Sequence, residues 1–194
     1  MNEDEGREKA RPAVTGEDRL PGDPTREETI ARMIRVDHAG EYGARRIYDG
    51  QLAVLGKSGA APAIREMAEA EQAHLDTFDA LLVERRVRPT VLSPVWHVAG
   101  FALGAASALL GERAAMACTV AVEEVIEEHY ADQVGRLGED EAALRQTLEE
   151  FGADEAHHRQ TGLAHGAEQA PGYEALSVAV KRGTRLAIWL SERI

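Results

Sequence analysis

Two Glu-x-x-His steps, Glu71 to His74 and Glu155 to His158, are each preceded by a lone acidic residue on an apolar stripe, Glu41 in the first half and Glu123 in the second. The separations nearly repeat, 71 − 41 = 30 and 155 − 123 = 32. Two helices joined by a short loop run antiparallel, so residues this far apart return to the same height of a bundle. Within each step the i, i+3 spacing sets carboxylate and imidazole on one helix face. Two such helix pairs facing each other enclose four carboxylates and two imidazoles. Four buried carboxylates without counter-charge would cost more than a domain's marginal stability, whereas two divalent cations neutralise them, 2 × (+2) − 4 = 0.

Oxygen and imidazole donors without thiolate suit iron or manganese, and a Glu plus a Glu-x-x-His from each half is the ligand set of ferritin-like di-iron or di-manganese bundles. The fold expected is therefore all-α: a ferritin-like four-helix bundle with a long hydrophobic crossover helix and a further C-terminal amphipathic helix. The chain of 194 residues is long enough for one domain with a substantial core, and its 44% hydrophobic content with only 5% aromatics assigns the interior to Ala, Leu and Val. The single Cys118 excludes an intramolecular disulfide, and no signal-peptide pattern opens the chain, which points to a reducing compartment. A net charge of −12 argues against nucleic acid as a partner.

Residues 1–24 mix charge, Gly and Pro without periodicity and are expected to form a disordered tail, leaving residues 25–194 as the ferritin-like domain. Thr25 and Glu28 make a capping box from which a first helix runs towards Gly56, with Ile30, Ile34, Asp37, Glu41, Ala44, Tyr48, Gln51 and Leu55 inward. A second inward stripe holds Ile64, Met67, Glu71, His74, Phe78, Leu81 and Arg85. The third bundle helix, from Glu112 to Leu137, carries Met116, Val120, Glu123, Glu127, Tyr130 and Val134. The fourth, from about Asp140 to His165, carries Leu144, Leu148, Phe151, Glu155, His158 and Gly162.

Between the halves, Pro94 to Gly111 is apolar, with His97 its one readily ionisable side chain. Together with the amphipathic helix from Tyr173 onward, it makes segments 91–111 and 173–194 the expected membrane-associating parts. They would sink into one leaflet while Arg85, Arg86, Arg88 and the basic side chains Lys181, Arg182 and Arg185 of the last helix meet anionic headgroups. A buried crossover and a true span are the competing readings of the central segment.

The blocks Arg35 to Leu55 (RVDHAGEYGARRIYDGQLAVL), Glu66 to Phe78, Met116 to Gln133 (MACTVAVEEVIEEHYADQ) and the closing RLAIWLSERI resemble the demethoxyubiquinone hydroxylases of ubiquinone biosynthesis, from about Thr25 to Ile194. The resemblance implies a di-iron monooxygenase that hydroxylates the ring of a polyprenyl methoxy-benzoquinone or its quinol. Glu41, Glu71, His74, Glu123, Glu155 and His158 would hold two Fe ions, ferrous before O2 activation. Glu71 and Glu155 would bridge, Glu41 and Glu123 would be terminal, and each histidine would cap one iron. Implied partners are the polyprenyl quinone, O2, a membrane surface, an electron donor that is NAD(P)H-linked or a quinol, and a lipid-binding accessory protein of the same biosynthesis. The implied address is peripheral, on the cytoplasmic side of a cell inner membrane, with the matrix side of the mitochondrial inner membrane as the alternative.

Around the ligands, Asp154 is expected to orient His74, Asp37 and His38 to steady Glu41, and Tyr130 to line the access channel or assist electron transfer as a catalytic residue. His129 points off the ligand face of an ideal helix, and His157 is turned about 100° from His158; neither is assigned as a ligand. A ferritin-like ferroxidase or iron-storage protein and a manganese catalase share the six-ligand pattern, and a non-enzymatic scaffold would explain only the apolar segments.

Overall fold

The computed structural model describes residue 20 and residues 22–194. The tail expected over residues 1–24 falls almost wholly outside them. Six α-helices follow in order, with no strand among the described residues: α1 Arg26–Leu55, α2 Ala61–Glu84, α3 Ser93–Leu109, α4 Glu112–Arg136, α5 Ala142–Ala164 and α6 Tyr173–Ser191. The capping box forms at the start of α1, where the Glu28 amide donates to Thr25 Oγ1 at 3.1 Å and the Thr25 amide to Glu28 Oε2 at 2.7 Å. α5 begins after a 3-10 turn at Glu139–Glu141, two residues later than the acidic run suggests.

α1, α2, α4 and α5 form an all-α bundle of the ferritin-like type, with α3 laid against α1 and α4, and α6 against α4 and α1. The apolar stripes close on one another: Ile34, Phe78, Leu144 and Leu148 are fully buried on one side of the polar centre, and Ile64, Met116 and Ala117 on the other. At the end of α2 the buried residue is Leu82 rather than Leu81, and Arg85 leaves the core to pair with Glu141 at 2.8 Å. A guanidinium at the bundle's end gains more from a carboxylate at the surface than from an apolar seam.

α3 approaches α1 at glycine-width separation. A methyl group on Gly104 would strike the Ile47 carbonyl, one on Gly50 the Phe101 carbonyl, and one on Gly100 would lie 2.8 Å from the Gly43 oxygen. Because these neighbours are backbone atoms on both sides, no side-chain rotation relieves the clash. Gly104→Ala is expected to cost about 2–3 kcal/mol, the upper range for overpacking, read as a lowered midpoint in urea unfolding; an unchanged midpoint would mean that α3 is free to shift outward.

The crossover is not buried. Gly104, Ser107 and Ala108 of α3 are covered, while Val95 and Val98, with Leu109 and Leu110 at its end, stand exposed. A single helix packed on a bundle can cover only one of its sides. No helix among the described residues is long and apolar enough to cross a membrane, which removes the spanning reading. The basic residues of α6 also have another use: Lys181 pairs with Glu124 at 2.5 Å and Arg185 with Glu128 at 2.8 Å. Two of the side chains expected to meet headgroups thus tie α6 to α4, which runs alongside it.

Candidate metal centre

Each helix of the bundle contributes to one buried polar cluster at mid-height. Glu41 comes from α1, Glu71 and His74 from α2, Glu123 from α4, and Glu155 and His158 from α5, and all six are buried. They fall into two overlapping quartets, Glu41, Glu71, His74 and Glu155, and Glu71, Glu123, Glu155 and His158, whose donor atoms within each quartet all lie within 4.8 Å of one another. The quartets share Glu71 and Glu155. His74 Nδ1 stands 3.3 Å from Glu41 Oε2 and 3.3 Å from Glu155 Oε1, and His158 Nδ1 stands 3.2 Å from both Glu71 Oε1 and Glu155 Oε2. His157 is exposed and belongs to neither quartet.

The electrostatics of this cluster are those of a cation site. Burial first, and then the facing carboxylates, push Glu71 and Glu123 well above the ordinary carboxylate range. For Glu155 burial acts in the same direction, but the imidazoles of His158 and His74 beside it outweigh it and hold the group at about 2. Burial lowers His74, yet its contacts with Glu155 and Glu41 raise it to about 10. Protons and imidazolium thus replace missing positive charge only in part. Glu41 Oε2, both oxygens of Glu71, Glu123 Oε2, Glu155 Oε1 and His74 Nδ1 are buried without a hydrogen-bond partner. Orphaned oxygens and an imidazole nitrogen converging from four helices fit a site for divalent metal with oxygen and nitrogen donors, not a hydrogen-bonded protein core.

Outer groups hold the donors in place. Asp154 Oδ2 lies 3.1 Å from His74 Nε2, and Phe151 stacks on the same ring at a centroid distance of 3.8 Å. Tyr48 on α1 donates to Glu123 Oε1 on α4 at 2.6 Å, and Tyr130 on α4 donates to Glu41 Oε1 on α1. Asp37 and His38 make no hydrogen bond to Glu41. His38 turns to Asp79 on α2 at 3.0 Å, while Asp37 receives Gln133 Nε2 at 2.7 Å and has His129 Nε2 at 3.3 Å. Burial, opposed by His129 and Gln133, raises Asp37 to about 6.

Sequence reading missed the roles of Tyr48, Gln133 and His129. A signal for the first two was present: Tyr48 follows Glu41, and Tyr130 follows Glu123, by seven residues, and Gln51 and Gln133 follow by ten. His129 had none, because it meets Asp37 of α1 on a flank of α4 that helical phase alone marks as outside.

A cavity with room for about 320 Å³ opens beside the cluster, between α1, α3, α4 and α6. Its wall includes Gly40, Gly43, Ile126 and Ile188, and Tyr130 and Asp37 lie where it meets the bundle. Tyr130 therefore touches both the cavity and a member of the first quartet.

A family model described as ubiquinone biosynthesis protein COQ7 matches residues 28–191. The 3-demethoxyubiquinol 3-hydroxylase of Rhodospirillum rubrum is 58% identical over 181 residues, covering 93% of this chain and 85% of that protein. The human protein named NADPH-dependent 3-demethoxyubiquinone 3-hydroxylase, mitochondrial, is 51% identical over 169 residues, 85% of this chain and 78% of that one. The 5-demethoxyubiquinone hydroxylase, mitochondrial, of Saccharomyces cerevisiae is 39% identical over 182 residues, with 85% and 78% covered.

Proposed function

Because the chain belongs to the COQ7 family of ubiquinone biosynthesis proteins, we propose that it is the enzyme that hydroxylates the ring of demethoxyubiquinol or its quinone, at two irons held by Glu41, Glu71, His74, Glu123, Glu155 and His158. The observation that carries this reading is the meeting of two quartets sharing Glu71 and Glu155 with an apolar cavity at Tyr130. Storage or peroxide disproportionation would have no use for a cavity of that size and character beside the ions.

Glu71 and Glu155, which belong to both quartets, would hold both ions, and Glu41 and Glu123 would each hold one. When bound, the ions supply activation of O2. The balanced reaction converts a ring C–H, O2, two electrons and two protons into a ring C–OH and water. The protein's own groups do the positioning: Tyr48 and Tyr130 fix the terminal carboxylates across the α1–α4 seam, and Asp154 and Phe151 fix the plane of His74. The cavity's apolar wall keeps bulk water from the ring and its reacting carbon. A nicotinamide-linked donor supplies the electrons, in keeping with the names of the mitochondrial relatives.

Exposed Val95, Val98, Leu109 and Leu110 on α3 and its end, with Leu186 and Trp189 on α6, support a peripheral seat on the membrane that holds the quinone. The cavity lies between those same two helices and the bundle, so a prenylated ring could enter from lipid without crossing water. Anaerobic loading with ferrous iron, followed by turnover of demethoxyubiquinone with NADPH or a reductase under labelled O2, tests the reaction. Gain of one labelled oxygen atom by the quinone, seen by mass spectrometry, is the expected result; release of O2 from hydrogen peroxide with no labelled quinone would overturn it.

A further inference from the structure

The two halves of the bundle differ in what stands behind their histidines. His74 is backed by Phe151 and Asp154, which lie four and one residues before Glu155. Phe151 stacks on its ring at 3.8 Å, and Asp154 Oδ2 lies 3.1 Å from its Nε2. The residues four and one before Glu71 are Met67 and Ala70. Together with His158 they line a second cavity, with room for about 150 Å³, between α2 and α5. Where one histidine meets an aromatic ring and a carboxylate, the other meets a thioether, a methyl group and open space.

His158 is only 4% exposed, and its Nδ1 faces Glu71 and Glu155 at 3.2 Å. Its Nε2 has no hydrogen-bond partner among the described residues, yet it is not sealed off as the orphaned oxygens of the centre are. It opens on this cavity. The same wall carries Glu66 and His157, both exposed, and neither has a hydrogen-bond or ion-pair partner among the described residues. An unpaired carboxylate and imidazole are donors for a divalent ion. Among the described residues only the two quartets gather such donors closely enough to hold one, so Glu66 and His157 would guide an ion rather than keep it. The larger cavity, walled mainly by apolar side chains, offers a hydrated ion little in exchange for its waters.

We propose that the cavity between α2 and α5 is the port through which ferrous ions enter and leave the buried centre, and that the ion at the His158 quartet is the exchangeable one of the two. This rests on the two-iron reading above and adds to it the route and order of loading. Asp154 fixes the imidazole of His74 and strengthens it as a donor, whereas Ala70, in the matching place, does neither for His158. The quartet beside the port is thus also the one whose histidine is held less firmly. It fills last and empties first.

Release and uptake are measured apart from turnover. Protein loaded anaerobically with ferrous iron is mixed with ferrozine, and the coloured complex is followed. Wild type is expected to release its iron in two equal phases, one about tenfold to a hundredfold faster than the other, the range for a missing outer partner of a ligating histidine. Ala70→Asp, which supplies the absent carboxylate, should slow the fast phase by that factor and leave the slow one unchanged. Should this variant fail to fold, Ala70→Asn, with a neutral acceptor, carries the same direction. At low ionic strength Glu66→Gln should take up ferrous iron about tenfold more slowly than wild type and reach the same final content. Glu84→Gln, eighteen residues further along α2, should load at the wild-type rate. A single release phase, or a fast phase untouched in a folded Ala70 variant, overturns the exchangeable site. Loading of Glu66→Gln at the wild-type rate overturns the port. If wild type retains no ferrous iron, the two-iron reading falls with both.

Discussion

Glu155→Ala should leave a folded bundle that no longer retains iron. Glu155 belongs to both quartets, so on the proposed reading its loss would take a donor oxygen from both ion positions at once. The affinity of both sites is expected to fall by more than about a hundredfold, beyond what loss of an outer hydrogen-bond partner produces, and hydroxylation should disappear with it. Glu71→Ala, at the other shared position, should behave alike. By contrast Glu150→Ala, an exposed position five residues earlier on α5, should keep its iron. Metal per chain after anaerobic ferrous loading and desalting decides the matter: full iron in both Glu155→Ala and Glu71→Ala would refute bridging by these two residues. The reasoning is electrostatic. Removing Glu71 relieves repulsion from the facing carboxylates in the metal-free cluster, whereas removing Glu155 also takes the partner of His74 and His158 away, so the melting temperature should be lower in Glu155→Ala than in Glu71→Ala.

Gly43→Leu should produce the opposite pattern, full iron and almost no product. Gly43 lines the cavity, and a Cβ placed there meets nothing within 4 Å. An isobutyl group would therefore enter the empty volume rather than strain the helix. Replacing a glycine in a helix interior stabilises it by about 0.5–1 kcal/mol, so the melting temperature should hold or rise. The ring could no longer lie against Tyr130, and a displacement of about 1 Å already costs a hundredfold; a drop in product formation of at least that size is expected. Oxidation of the donor without product should persist. Undiminished hydroxylation in this variant would mean that the ring reaches the centre by another path.

The cluster was legible in the sequence because helical geometry is nearly invariant. Once Glu-x-x-His steps sit on helices and lone glutamates stand about thirty residues before them, the bundle has few ways to arrange itself other than bringing the six together. Thr25 and Glu28 marked the start of α1 for the same reason, since a capping box is a local device complete within four residues. The apolar run after Pro94 was legible as a helix of unusual character, but its burial was not. How much of α3 is covered depends on Gly50, Gly100 and Gly104 letting it close on α1, and on how α6 lies beside α4.

His129 shows where such reasoning stops. Its phase on α4 is fixed by counting residues, but whether that flank meets water or the Asp37 side of α1 depends on how two helices cross. Lys181 and Arg185 make the same point in charge: their sequence reads as a basic membrane face, and only the position of α6 gives them Glu124 and Glu128. The sequence by itself determined the helices, the bundle class and the convergence of six donor side chains, because these follow from local periodicity and the cost of burying unneutralised carboxylates. Tertiary structure alone decided which flank opens into a cavity and which polar groups line it. Those outcomes depend on interhelical distance and crossing angle, quantities set by packing between residues far apart in the chain.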